Sequence, residues 1–111
     1  MVGRPEIPRK VKKRPFIRQF SPRGRIGRPG YTNITLDQYE AMRLADFISL
    51  SQKDAAKSMC ISQQTYSRVL KRARKALIEG LVLGRIITIV DPKRPHRTIV
   101  KGPKKALNQA L

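Results

Sequence analysis

The sequence predicts a mainly α-helical fold, with three helices between a basic N-terminal arm and a short C-terminal β-strand. Three observations support this prediction. Residues 35–84 contain three helix-capping patterns, each followed by apolar residues at three- and four-residue spacing. Residues 1–34 are rich in proline and in basic residues, which is typical of an extended arm. Residues 85–111 begin with the β-branched run 86–90, which predicts a strand, and end in a basic tail.

The charge of the chain predicts a polyanionic partner. Its 111 residues include 25 Lys and Arg against 7 Asp and Glu, so the net charge is +18. Ten of the bases lie in residues 1–34 beside one acid, whereas residues 35–84 hold eight bases and five acids. A chain of this charge is attracted to nucleic acid, to the ribosome or to an anionic membrane surface.

Several other functional classes are disfavoured by the residue content. A single cysteine, Cys60, and a single histidine, His96, cannot complete a Cys/His zinc site, so we expect no metal and no cofactor. Neither residue has a catalytic partner nearby in the sequence, so we expect no enzymatic activity. No apolar run approaches the roughly 18 residues that span a bilayer, and no apolar segment follows the basic N-terminus. We therefore expect a cytoplasmic protein with no membrane partner.

The arm contains two features of its own. Residues 9–14 form a basic block, which is either a solvated charge run or a localisation or RNA-binding tract. Residues 16–20 alternate in a way that allows a short strand, and we hypothesise that this strand pairs with residues 85–90.

Each of the three helices has a recognisable beginning. Thr35 and Gln38 form a capping-box pattern, while Ser51 and Ser62 are N-cap residues of the second and third helices. The apolar residues that follow each cap predict one buried face per helix. These residues are Ala41, Met42, Leu44, Ala45 and Ile48 in the first helix, Ala55, Ala56 and Met59 in the second, and Tyr66, Val69, Leu70, Ala73 and Leu77 in the third.

The spacing between the second and third helices predicts a helix-turn-helix. Only Cys60, Ile61 and Ser62 separate the two helices, and the small residue Ala56 allows them to approach closely. The turn favours a positive φ at Cys60, where glycine is the usual residue, and cysteine there costs about 1 kcal/mol relative to glycine. The alternative is a plain antiparallel helical hairpin.

The third helix carries the candidate binding residues. Within a recognition helix spanning residues 62–75, four polar residues near its start are placed to contact base edges in the major groove, namely Gln63, Gln64, Ser67 and Arg68. Basic residues further along the helix are expected to contact phosphates, namely Lys71, Arg72, Arg74 and Lys75. Arg25 and Arg28 of the arm are expected to contact phosphates without reading sequence. The alternative is that the arm reads the minor groove, because Gly3-Arg4-Pro5 and Gly27-Arg28-Pro29 are similar to the core of an AT-hook, which lays arginine into that groove.

Residues 35–84 resemble the helix-turn-helix of sigma-factor region four. They resemble more closely an uncharacterised prokaryotic family of small predicted DNA-binding proteins, in which this motif lies between a basic arm and a short strand. The residues that carry the resemblance are Leu44-Ala45-Asp46, Leu50-Ser51-Gln52, Ala55-Ala56, Met59, Ile61-Ser62, Gln64-Thr65-Tyr66, Arg68, Leu70, Ala73-Arg74, Ala76-Leu77 and Gly84. The chain departs from the family at Cys60, where glycine is usual, and in having no cysteine in the arm. The resemblance implies a sigma region-four-like fold and a nucleoid-associated transcription regulator.

The leading hypothesis is therefore sequence-specific binding of double-stranded DNA. The alternative is an RNA- or ribosome-associated basic protein, in which the arms make the contacts and the helices are a platform. The apolar segments 81–83 and 86–90 require a cover, which predicts either a homodimer through residues 81–90 or docking on RNA polymerase, as region four does.

Overall fold

A computed structural model describes residues 9–24 and 27–91 of the chain. The elements run in the order β1 (Gln19–Phe20), β2 (Tyr31–Thr35), α1 (Leu36–Met42), a π-helical segment (Arg43–Phe47), α2 (Gln52–Met59), α3 (Gln63–Leu83) and β3 (Ile86–Val90). The three predicted helices are present, and about half of the described residues are helical. The fold also contains a three-stranded sheet where the sequence predicted one firm strand.

The sheet has the strand order β1-β3-β2. β3 pairs antiparallel with β1, with Gln19 opposite Thr88, so the hypothesised pairing of residues 16–20 with 85–90 is confirmed over two residues. β2 pairs parallel with β3 over its whole length, from Tyr31 opposite Ile86 to Thr35 opposite Val90. Residues 31–34 therefore belong to the sheet and not to the arm, where the sequence places them because nothing near them in the chain indicates a partner strand.

α3 packs on the sheet at Gly80. A Cβ atom at this position would lie 2.6 Å from Cγ1 of Ile87 and 3.6 Å from Cβ of Thr32, so only glycine permits this approach. Ile87 and Ile89 of β3 and Ile34 of β2 are buried. The C-terminal half of α3 is therefore held against the sheet.

The predicted N-caps of all three helices are confirmed. The Thr35 hydroxyl accepts a hydrogen bond from the Gln38 amide, and the Gln38 side chain accepts one from the Thr35 amide, which completes the capping box. Ser51 caps α2 by accepting from the Asp54 amide at 3.1 Å. Ser62 caps α3 by accepting from the Thr65 amide at 3.0 Å.

The core of the helical part contains most of the predicted inward-facing residues. Its buried members are Ala41, Leu44, Ala55, Ala56, Met59, Tyr66, Val69, Leu70 and Ala73. Ile48 is an exception, because 45% of its surface is exposed. The first helix ends in the π-helical segment, whose wider turns change the direction in which later residues point, so the 3.6-residue spacing no longer applies at Ile48.

Residues 9–20 lie against the rest of the chain, although we expected an extended arm. Arg9 pairs with Asp37 at 2.6 Å, and Arg14 pairs with Asp91 at 2.9 Å. The backbone amide of Lys10 donates to the Met59 carbonyl at 3.1 Å. These contacts join residues far apart in the sequence, so no local pattern predicts them.

Candidate nucleic-acid interface

The connection between α2 and α3 is a compact left-handed turn. Cys60 has φ 59° and ψ 43°, as predicted for the position where glycine is usual. The Cys60 amide donates to the Lys57 carbonyl and the Ile61 amide donates to the Ala56 carbonyl, both at 3.1 Å. This is the hydrogen-bond pattern of a Schellman motif, which satisfies the last carbonyls of α2 and directs the chain into Ser62.

Burial of one face of α3 determines which residues point outward. Tyr66, Val69, Leu70 and Ala73 are buried, and the Tyr66 hydroxyl donates to the Ala41 carbonyl of α1 at 2.6 Å. Burial raises the pKa of Tyr66 above its usual value, so the hydroxyl keeps its proton and this hydrogen bond at physiological pH. The bond fixes the rotation of the first turns of α3 relative to α1.

The four predicted base-contacting residues lie together on the exposed face of α3. Gln63, Gln64, Ser67 and Arg68 are all exposed, within the first two turns after the Ser62 cap. At about 100° per residue, Gln64, Ser67 and Arg68 fall on the half of the helix opposite the buried residues, while Gln63 lies at the edge of the buried half. Glutamine and arginine side chains of this kind can form bidentate hydrogen bonds with base edges.

Three of the predicted phosphate-contacting residues extend this face. Lys71, Arg72 and Lys75 are exposed, and Lys75 is 4.0 Å from the Glu79 carboxylate one turn further on. In an exposed helix, an ion pair of that length contributes little stability, so the Lys75 ammonium stays accessible to other anions.

The fourth predicted phosphate contact on α3, Arg74, has an internal partner. Its guanidinium donates to both carboxylate oxygens of Asp46, at 3.2 Å from Nε and 2.7 Å from Nη2. The hydrogen bond from Arg74 lowers the pKa of Asp46, and Asp46 in turn raises the pKa of Arg74. Both side chains remain about half exposed. Arg74 therefore joins α3 to the π-helical segment.

The two predicted contacts from the arm have different outcomes. Arg28 is exposed and follows Gly27, which has a φ of +90° that favours glycine. Arg25 lies outside the described residues, as does the first Gly-Arg-Pro tripeptide, residues 3–5.

The exposed face of α3 changes character after Lys75. Ile78, Leu81 and Val82 are 53%, 62% and 74% exposed, and all three lie on the same half of the helix as the polar residues. Residues 81–90 were predicted to form a dimer contact. Within that segment β3 is the central strand and is covered by its own chain, so only residues 81–83 still expose apolar side chains.

Sequence reasoning missed one functional group, the Glu40 carboxylate. Its side chain is completely buried and pairs with Arg43, while the backbone amide of Lys12 donates to it at 3.1 Å. Glu40 lies in the first helix among residues that pattern reasoning places outside. Its pair with Arg43 has the i,i+3 spacing of an ion pair on a helix surface, whereas its contact with Lys12 spans 28 residues and has no local signal. Glu40 therefore fastens the basic residues 9–14 to the helical part.

The described residues form neither a metal-binding cluster nor a membrane-spanning helix. No group of three or more His, Cys, Asp or Glu side chains among them is arranged to hold a metal ion. None of the helices that the structure describes is long and apolar enough to cross a membrane.

Comparison with known proteins identifies relatives of the chain. The model of the family described as "Protein of unknown function DUF134" matches residues 1–104. A UPF0251 protein of Methanococcus maripaludis strain C7 is 34% identical over 88 residues, covering 78% of this chain and 68% of the relative. One of Vibrio vulnificus is 40% identical over 88 residues, covering 78% and 87%. One of Chlorobaculum tepidum is 39% identical over 93 residues, covering 82% and 60%.

No solved structure matches this chain. The family match extends over most of the sequence, and each of these three relatives shares at least a third of its aligned residues with it. The uncharacterised prokaryotic family that the sequence resembles is therefore identified: the chain belongs to the DUF134 family, and the relatives described above are UPF0251 proteins.

Proposed function

We propose that the protein binds double-stranded DNA sequence-specifically and regulates transcription. In this proposal α2, the Cys60 turn and α3 act as a helix-turn-helix of the sigma region-four type. The first half of α3 enters the major groove, where Gln63, Gln64, Ser67 and Arg68 contact bases. Lys71, Arg72 and Lys75 contact phosphates. Arg28 is not included in this contact set, because it is two residues from Gly30, which accepts a hydrogen bond from the Ile86 amide near the C-terminal end of α3.

One observation carries the proposal. Between Gln63 and Lys75, the exposed face of α3 presents amide, hydroxyl and basic side chains and no acid, while the opposite face is buried. A helix placed this way can enter a groove about 12 Å wide without exposing apolar surface or repelling phosphates. The alternative is that this face is only solvated. A solvated face does not explain why the stretch contains no acid, although acids occur on both sides of it in the chain.

A second candidate function is favoured by different residues. Phe16 is 95% exposed and lies between Arg14 and Arg18, so a base of single-stranded RNA could stack on it beside basic groups. In that case the N-terminal residues bind RNA and α3 is a platform.

The apolar end of α3 supports the remaining part of the proposal. A contact with a second copy of the chain or with RNA polymerase requires an exposed apolar surface next to the DNA-binding face, and Ile78, Leu81 and Val82 provide one. The expectation of a nucleoid location follows from the same proposal.

The experiment that separates DNA from RNA binding is a selection from random duplex DNA at about 150 mM salt, with an equal amount of structured RNA as competitor. We expect an enriched sequence motif that RNA does not compete away. If no motif is enriched and RNA competes as well as DNA, the proposal is wrong and the RNA-binding alternative takes its place. The symmetry of the motif reports whether one copy or two bind.

A further inference from the structure

The basic residues 9–14, here called the strap, are fixed to the helical part through a buried charge. The Glu40 carboxylate accepts hydrogen bonds from Nε of Arg43 at 2.8 Å, from Nη2 of Arg43 at 3.0 Å and from the Lys12 amide at 3.1 Å. Burying a carboxylate is costly unless it is paired and hydrogen-bonded. The Lys12 amide donates one of the three hydrogen bonds to Glu40. Moving the strap away would leave this buried carboxylate with one hydrogen bond fewer, so the contact fixes the position of the strap.

Three further contacts fasten the strap on either side of Lys12. Arg9 pairs with Asp37 at the start of α1, and the Lys10 amide donates to the last carbonyl of α2, at Met59. Arg14 pairs with Asp91, whose side chain is only 7% exposed. These contacts use backbone amides and the two terminal arginines. The side chains of Lys10, Lys12 and Lys13 are left exposed, and none forms an ion pair within the described part of the chain.

The strap lies beside the beginning of α3. Met59 and Ser62 are three residues apart, so their Cα atoms are at most about 11 Å from each other. Lys10 is hydrogen-bonded to Met59 and is therefore close to the N-terminus of α3. Lys12 is bonded to Glu40, whose neighbour Ala41 accepts a hydrogen bond from Tyr66 in the second turn of α3. The first contact places the strap near the N-terminus of α3, and the second fastens it to α1, on which the first turns of α3 pack.

We propose that the strap is a second phosphate-binding site, which holds the DNA backbone beside the groove that α3 enters. The ligand class is the phosphodiester backbone of duplex DNA, and Lys10, Lys12 and Lys13 are the contacting residues. A helix about 10 Å across fills the major groove, so backbone phosphates lie immediately to its sides, within reach of lysines anchored next to its first turns. The inference rests on the proposed function of α3 and adds a contact surface to it.

The effect expected for the strap differs from that expected for the base contacts of α3, because phosphate contacts carry no sequence information. Each phosphate neutralised by the protein contributes about 0.9 to the slope of log affinity against log salt concentration. Removing two strap lysines should lower this slope by about 2 on selected and on random duplex alike. The ratio of the two affinities, which reports reading of the sequence by α3, should not change.

The test compares two variants of the full chain that lose the same charge. The first is Lys10→Gln with Lys13→Gln, which leaves every backbone contact of the strap in place. The control is Arg23→Gln with Arg85→Gln. Arg85 directly follows Gly84, the residue that ends α3. Arg23 is three residues after Phe20, which lies opposite Ile87 in the sheet. Both arginines are therefore near the C-terminal end of α3, about 30 Å along the helix from Ser62. Thermal unfolding of both variants checks that the fold is retained.

We expect the strap variant to lower the salt slope while the control leaves it close to that of the unmodified protein. Equal slopes for the two variants would overturn the strap proposal, because general electrostatic attraction would then account for both. Failure of the proposed function looks different: the unmodified protein would bind selected and random duplex with equal affinity, whatever its salt slope.

Discussion

The two halves of α3 expose different chemistry on one continuous face. From Gln63 to Lys75 the exposed side chains are polar or basic, whereas Ile78, Leu81 and Val82 expose apolar surface. The halves also pack differently. The first is anchored to α1 through Tyr66, and the second lies on the sheet through Gly80.

The difference follows from the length of the helix. Its 21 residues extend about 30 Å, whereas in helix-turn-helix proteins the N-terminal residues of the recognition helix make the base contacts. In our account only the first half reaches DNA, so the second half is free to serve the sheet on one side and a protein partner on the other. A change in the first half should therefore affect DNA binding, and a change in the second half should affect packing on the sheet or association with a partner.

The largest expected effect is on stability, in the second half of α3. In Gly80→Val the new side chain would begin with a Cβ atom 2.6 Å from Cγ1 and 2.9 Å from Cδ1 of Ile87, so α3 must move away from the sheet. We expect a loss of about 3 kcal/mol in the free energy of unfolding, measured by denaturant titration. Adding Ile87→Ala should recover part of that loss. If Gly80→Val is as stable as the unmodified protein, α3 does not pack on β3 as described.

The second prediction concerns association through the apolar end of α3. Changing Leu81 and Val82 together to lysine places two charges on the exposed apolar surface, where both side chains are more than 60% exposed. We expect sedimentation to show a dimer for the unmodified protein and a monomer for this variant, with little change in thermal stability. A monomer in both cases would remove the homodimer prediction and favour docking on a larger complex such as RNA polymerase.

A feature of this fold could be predicted from the sequence when the residues that form it are close together in the chain. The caps Thr35, Ser51 and Ser62 contact residues three positions away, so they were predictable, as was the left-handed turn at Cys60. The outward residues of α3 followed from its helical spacing. These signals were sufficient to predict the candidate binding face.

The sheet and the strap depend on partners that are distant in the sequence. β2 pairs with β3 more than fifty residues later, and a parallel pair requires such a crossover connection, so residues 31–35 resembled the end of an arm. The contacts of Glu40 with Lys12 and of Asp46 with Arg74 each span 28 residues. Gly80 has no sequence signal at all, because its role is to leave room for Ile87.

The smallest expected effect concerns the pair that joins α3 to the π-helical segment. Asp46→Asn removes the charged partner of Arg74, and because both groups are about half exposed we expect a loss below about 1 kcal/mol. Arg74 lowers the pKa of Asp46, so this contribution is present at neutral pH and is lost as the pH falls through the lowered pKa. Unfolding curves of the two proteins should therefore differ at pH 7 and converge in acid. A difference that persists in acid would contradict the electrostatic origin of the effect.

The central claim is that the first half of α3 reads DNA sequence, and its most direct test compares Arg68→Ala with Lys75→Ala. Both residues are exposed bases on the same face of one helix, about two turns apart, so the two variants lose the same charge and differ in position along α3. The measurement is the affinity of each variant for the selected site and for random duplex at about 150 mM salt.

We predict that Arg68→Ala loses about 1–3 kcal/mol on the selected site and relaxes the preference at one base pair, with a much smaller loss on random duplex. Lys75→Ala should weaken binding to both duplexes by the same factor. Equal losses on both duplexes for both variants would contradict the claim, because Arg68 would then contact only the DNA backbone.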